Sequence, residues 1–126
     1  MIIPQIQPYN PTFGYKHQLK TLFKKGKLPV KYGFYGDVLN KKNVTLEHLR
    51  PISQGGKTEL SNLVLTSANK NQERGVRPLN EVINWLHVGQ YFEPFKDLKL
   101  PDFDGNEYIR LILNTIKELL NVGKTA

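Results

Sequence analysis

The chain has 126 residues, which is the size of one domain and too short for two independent hydrophobic cores. It contains no cysteine, so a disulfide framework, a zinc site built on thiolates and catalysis by a cysteine nucleophile are excluded. The formal net charge is +7, from 18 Lys and Arg residues against 11 Asp and Glu residues.

The positive charge is concentrated in the first part of the chain. Residues 1–75 carry a net charge of +8, whereas residues 76–126 carry −1. A local excess of Lys and Arg favours a polyanionic partner, because neutralised phosphates release their condensed counterions; a solvated basic surface is the equal alternative. No apolar run approaches the roughly 20 residues of a membrane-spanning helix and no signal peptide is recognised, so we expect a cytoplasmic protein without a membrane partner.

The N-terminal region predicts an extended arm followed by a basic helix. The first fourteen residues contain three prolines, and no helix is expected there. From Tyr15 to Lys25 apolar residues recur at helical spacing, and Gly26 supplies a stop. The lysines of this region would form either a second phosphate-binding patch or a solvated helix face: Lys16, Lys20, Lys24, Lys25 and Lys27.

The next region predicts a twisted hairpin. The segment Val30–Val38 is rich in aromatic residues, and Asn40–Asn43 resembles a turn into the short strand Val44–Leu46. A loop at Gln54–Lys57 and a short apolar run at Asn62–Leu65 follow.

Helices are predicted for most of the second half. Thr66 or Ser67 can cap a helix that ends near Gly75. Pro78 is suited to the first turn of another helix, which would run toward His87. The apolar face of that second helix would be formed by Val82, Ile83 and Leu86.

A final helix is predicted to open at Asp104, because Glu107 follows three residues later as in a capping box. Trp85 and the apolar residues of this helix are expected in the core or in a subunit interface, without a chemical role. The residues of the helix that would face the core are Tyr108, Ile109, Ile112, Leu113, Ile116, Leu119 and Leu120.

The candidates for chemistry lie between the predicted hairpin and the first of these helices. Glu47 and Asn71 offer a carboxylate and an amide oxygen, which are hard ligands that suit Mg²⁺ or Mn²⁺. A neutral imidazole at His48 can accept a proton from water. Adjacent side chains on a regular strand point to opposite faces, so Glu47 and His48 can share a site only if the strand ends or bends there, as Pro51 would allow. Asn69 is the alternative to Asn71 as a metal ligand, but it would lie on nearly the opposite face of the helix, so both cannot be ligands.

The pattern of these residues resembles the HNH endonuclease family over about residues 33–79. An acidic residue and a histidine, Glu47-His48, are followed by Pro51, a Gly-Gly loop at Gly55-Gly56, and Asn62 before an apolar triplet. The closing Asn71 is 9 residues after Asn62, which is itself 14 residues after His48. That spacing is similar to the HNH domain of RNA-guided CRISPR effector nucleases.

The resemblance implies an α+β fold with a ββα-metal core, also called a His-Me finger. It further implies that Glu47 and Asn71 bind one divalent cation, Mg²⁺ or Mn²⁺, that His48 activates water, and that Asn62 orients His48 or its loop. Asn62 would otherwise only cap the turn at Leu63. No structural zinc is expected, because Lys31–Gly36 occupies the place of the first cysteine pair of many relatives.

We expect one domain, comprising an N-terminal arm and helix (1–27), the core motif (33–79) and a helical extension (78–126). The implied activity is metal-dependent hydrolysis of double-stranded DNA, with nicking or weakly specific cutting, by a protein of phage or mobile-element type that can act as a homodimer or in a larger assembly. RNA is a lesser alternative substrate. A non-cleaving DNA-binding module and an interaction protein that uses the C-terminal helices are the alternative functions. The residues expected to contact nucleic acid are Arg50, Lys70, Arg74, Lys20 and Lys24.

Overall fold

The computed structural model describes residues 11–121, and their side chains from residue 18 onward. This part of the chain combines helices with two small antiparallel sheets, which confirms the α+β class. None of its helices has the length and apolar character needed to cross a membrane. The elements are α1 (Pro11–Lys24), β1 (Val44–His48), β2 (Leu63–Ser67), α2 (Ala68–Arg74), α3 (Leu79–Val82), α4 (Trp85–Phe92), β3 (Lys99–Leu100), β4 (Phe103–Asp104) and α5 (Gly105–Asn121).

Helix α1 starts earlier than the sequence predicts. The expected arm covers the first fourteen residues, but the helix already begins at Pro11, where a missing N–H costs no intrahelical hydrogen bond. Residues 1–10 of the predicted arm lie outside the described residues. The predicted stop is confirmed, because Gly26 has a φ of 73° and donates its N–H to the carbonyl of Phe23 at 3.0 Å.

Strand β1 pairs with β2, and the predicted hairpin with Val30–Val38 is wrong. The antiparallel register places Val44 opposite Ser67 and His48 opposite Leu63. The aromatic segment instead closes on itself through a bridge between Tyr32 and Val38. It then lies along the free edge of β2, because the Phe34 N–H donates to the Leu65 carbonyl at 2.9 Å.

Helix α2 has the predicted position and cap. The Ser67 hydroxyl accepts a hydrogen bond from the Lys70 N–H at 3.2 Å, and the helix ends at Gly75 with a φ of 57°. Because Ser67 is also the last residue of β2, helix and strand follow each other without a loop. Residues on α2 are thereby held in a fixed register beside the β1–β2 pair.

The single helix predicted from Pro78 to His87 is divided into α3 and α4. The break falls at Asn84, whose side-chain oxygen accepts from the Leu86 N–H at 2.9 Å and starts a new helix. Leu86 is 85% exposed and Trp85 is 51% exposed, so neither lies in the core. The sequence prediction failed because an asparagine can cap a helix in the middle of a helical apolar pattern.

Helix α5 confirms the predicted capping by Asp104. The Asp104 carboxylate accepts from the Asn106 N–H at 3.0 Å and from the Glu107 N–H at 3.2 Å. The residues of α5 that are fully buried are Tyr108, Ile112 and Ile116, and the other predicted core residues of the helix are partly buried against the same core.

Two tyrosines connect the C-terminal helices to strand β2. The Tyr108 hydroxyl donates to the Leu63 carbonyl at 2.7 Å, and the Tyr91 hydroxyl accepts from the Leu65 N–H at 3.0 Å. The two hydroxyls are 2.8 Å apart, and both side chains are fully buried. These hydrogen bonds satisfy backbone groups of β2 that are not paired with β1. Helices α4 and α5 therefore hold the strand at the edge that faces away from β1.

We expect Tyr91→Phe to lower the free energy of unfolding by about 1–3 kcal/mol, because the buried N–H of Leu65 loses its acceptor. Urea unfolding followed by circular dichroism measures the effect. Tyr32→Phe is the control, since Tyr32 is exposed. Equal stability of Tyr91→Phe and the parent chain would contradict this account of the core.

Candidate catalytic site

His48 lies at the end of β1 beside an open cavity. Its ring nitrogen Nε2 is 2.9 Å from the hydroxyl of Thr58, and the tautomer decides which of the two donates. The imidazole is half-buried, so its orientation is restrained while one side borders the cavity. The cavity has a volume of about 440 Å³ and is lined by Lys20, Thr21, Lys24, Thr45, Leu46, His48 and Leu63.

The loop that follows His48 is held by the buried side chain of Asn62. The Asn62 side-chain oxygen accepts from the Arg50 N–H at 2.8 Å, and its nitrogen donates to the carbonyls of Arg50 at 3.0 Å and Lys57 at 2.9 Å. A Cβ atom at Gly56 would lie 1.7 Å from the Arg50 carbonyl oxygen, so only glycine allows the loop to fold back this closely. The Asn62 side chain therefore connects the two ends of the loop from Arg50 to Lys57.

A buried arginine joins the end of α2 to the end of β1. Arg74 is 3% exposed, and its Nη1 lies 3.0 Å from the carboxylate of Glu47. The same guanidinium donates to the carbonyls of His48 at 3.3 Å and Leu49 at 2.9 Å, and its Nε donates to the Arg77 carbonyl at 2.9 Å. The N–H donors of the guanidinium are thus directed at protein acceptors within the fold.

Glu47 is buried next to Arg74 and Tyr35, which also contact each other. It is 3% exposed, and besides Arg74 it accepts a hydrogen bond from the Tyr35 hydroxyl. Burial raises the pKa of the Glu47 carboxyl above its ordinary value, while the Tyr35 hydroxyl and the Arg74 guanidinium act in the opposite direction. Because the carboxylate is buried away from water, these two neighbours must stabilise its negative charge.

Asn71 lies one helical turn before Arg74 on the same side of α2. Its Nδ2 donates to the Leu46 carbonyl at 3.2 Å. Asn69, the competing candidate, is exposed. The structure therefore brings Asn71, and not Asn69, to the interface between α2 and β1.

The residues predicted to contact nucleic acid have different environments. Arg50 is 3.9 Å from Glu118 and Lys70 is 3.0 Å from Glu73, in partly exposed ion pairs that a phosphate can replace. The phosphate contact predicted for Arg74 does not fit the structure, because its guanidinium is buried and bonded to protein acceptors. The side chain of Lys16, another lysine of the predicted basic patch, lies outside the described residues.

The predicted pair of metal ligands does not fit this geometry as a pair. The side-chain oxygen of Asn71 is a suitable hard ligand, but the carboxylate of Glu47 is buried against a guanidinium that repels a second cation. In the described part of the chain, His, Cys, Asp and Glu residues form no group of three or more with the geometry of a metal site.

The segment around this site matches a known family. Residues 35–77, or 43 of the 126 residues, match the family model of HNH endonucleases. This region is therefore similar to HNH endonucleases. Nuclease activity on a nucleic acid is what an HNH region indicates, and HNH nucleases generally use a divalent metal ion. Neither the comparison with curated proteins nor the comparison with solved structures gives a match.

The HNH match includes most of the residues described above but not α1. The roles predicted from the sequence for His48, Asn62 and Asn71 stay predictions, and the sequence indicated neither the contact of Tyr35 with Glu47 nor the structural role of Arg74. One signal was present, because Arg74 follows Asn71 by three residues and must share its side of α2. The involvement of Tyr35 and of Thr58 depends on tertiary contacts, and no local pattern indicates either of them.

We expect Arg74→Met to lower the free energy of unfolding by about 3–5 kcal/mol, because it leaves the Glu47 carboxylate buried without its partner. Arg77→Met is the matched control, since Arg77 forms an exposed pair with Glu81, for which a loss of about 0–1 kcal/mol is expected. Urea unfolding of both variants provides the comparison. Similar losses in the two variants would show that the buried pair is not structurally important.

Proposed function

We propose that the protein is a metal-dependent DNA endonuclease and that β1, β2 and α2 are its ββα-metal unit. The observation that carries the proposal is the position of His48: it lies in the HNH region, and it borders an open cavity together with Lys20 and Lys24. A base next to positive charge suits the hydrolysis of a phosphodiester, because the substrate is an anion and the attacking water must lose a proton.

In the proposed reaction the His48 imidazole accepts a proton from a water molecule. The oxygen of this water forms a bond to phosphorus, and the bond from phosphorus to the 3′ oxygen breaks. The products are a 5′-phosphate and, after protonation of the leaving oxygen, a 3′-hydroxyl. Thr58 fixes the ring through its contact with Nε2, and Asn62 holds the loop that follows, so the base is oriented before substrate binds. The family's general use of a divalent ion leads us to expect a requirement for Mg²⁺ or Mn²⁺.

Two lysines of α1 would hold the substrate backbone at the cavity. Lys20 and Lys24 are four residues apart, so they lie one above the other with a rise of about 6 Å along the helix. Phosphates of one strand follow each other at about 3.4 Å along the duplex axis, so two lysines at this spacing can contact phosphates of the same strand. Arg50 and Lys70 are further candidates for flanking phosphates.

We expect His48→Ala to abolish cleavage while DNA binding is retained, because the imidazole supplies the base and not the positive charge. Supercoiled plasmid with Mg²⁺ or Mn²⁺ is the substrate, and relaxed or linear DNA is the product to be measured. EDTA and His87→Ala are the controls. Salt-sensitive DNA binding by the parent chain without any product would instead favour the non-cleaving DNA-binding module.

We expect Lys20→Gln with Lys24→Gln to reduce the salt dependence of DNA binding, since each lost phosphate contact lowers the slope of log affinity against log salt by about 1. The measurement is fluorescence anisotropy with duplex DNA in the His48→Ala background, which separates binding from cleavage. Lys25→Gln with Lys27→Gln is the control of equal charge outside the cavity. An equal reduction in both double variants would contradict a specific role for the cavity.

A further inference from the structure

We propose that Glu47 is the counter-ion of Arg74 and not a ligand of the catalytic cation, and that the two residues together position the strand end that carries His48. The inference rests on the proposed function for its catalytic part, and on the contacts of Arg74 for its structural part. It assigns the acidic residue of the HNH motif in this chain to a positioning role.

The first argument comes from the strand itself. The ladder between β1 and β2 continues through the last two residues of β1, with Glu47 opposite Val64 and His48 opposite Leu63. A regular strand directs these neighbouring side chains to opposite faces, so the bend that would bring both to one metal ion does not occur at Glu47.

The second argument comes from the contacts of the guanidinium. Arg74 donates to the carbonyls of His48 and Leu49, the residues at which the chain leaves the strand. A buried guanidinium of this kind requires a buried anion, and Glu47 supplies it at 3.0 Å. Without Glu47 the positive charge of Arg74 would be buried without a counter-ion. The hydrogen bonds of Arg74 to the carbonyls of His48 and Leu49 would then be weakened.

The third argument concerns the cation. A divalent ion on the Glu47 carboxylate would lie within a few ångströms of the guanidinium, where like charges repel strongly in a poorly hydrated environment. Asn71 remains as the neutral oxygen donor on the same helix. Small hard cations commonly use one or two protein ligands and complete their coordination with water and substrate phosphate.

The metal dependence of plasmid cleavage tests the role of Glu47. We expect Glu47→Gln to lower kcat while the Mn²⁺ concentration for half-maximal rate stays within about twofold of the parent chain, and Asn71→Ala to raise that concentration at least about tenfold. Glu73→Gln, on an exposed part of α2, is the matched control. An increase of about tenfold or more for Glu47→Gln would identify a metal ligand and overturn the proposal.

Hydrogen exchange of the full chain, without DNA or metal, tests the positioning role independently of activity. Arg74→Lys keeps the charge but lacks the planar fork, so we expect faster exchange at the amides of residues 48–50 while α5 keeps its protection. Unchanged exchange at residues 48–50 would overturn the proposal. If the parent chain cleaves no DNA, the proposed function fails, and the exchange result still decides whether Arg74 holds the strand end.

Discussion

The buried ion pair between Arg74 and Glu47 determines how the site is assembled. One guanidinium connects the last turn of α2 to the last residues of β1, so the helix cannot shift without breaking hydrogen bonds to the strand. The cost of removing two charges from water is offset only when the geometry is good and the remaining donors are satisfied. The contacts to backbone carbonyls meet that condition, and the same contacts give the end of β1 a defined conformation.

The other strand of the pair is fixed from the opposite side. Tyr91 and Tyr108 form hydrogen bonds with backbone groups of β2, and their two rings pack against each other in the core. His48 is consequently placed on a strand pair whose two strands are restrained by different parts of the chain. In the role of base proposed above, a side chain supported in this way loses little orientation when substrate binds, which is the general requirement for efficient proton transfer.

Local sequence patterns predicted much of the fold and only part of the site. The caps at Ser67 and Asp104 were found because capping depends on residues three positions apart. The partner of β1 was missed because strand pairing is a non-local choice, and Asn84 was overlooked because its cap interrupts an otherwise helical apolar pattern. In the site, motif spacing predicts functional roles for His48 and Asn71. The ion pair between Glu47 and Arg74 was not predicted, because a sequence motif does not show which side chains are buried together.

Under the proposed function, DNA binding and chemistry depend partly on different segments of the chain, α1 and the HNH region. The histidine and its supporting residues belong to one continuous segment, whereas Lys20 and Lys24 come from a helix outside that segment. In the proposed nuclease, substitutions of Lys20 and Lys24 would therefore change how tightly DNA is held, and how strongly salt weakens its binding, while His48 and the residues that orient it stay unchanged. Affinity and chemistry can then evolve at different rates, because few mutations would affect both.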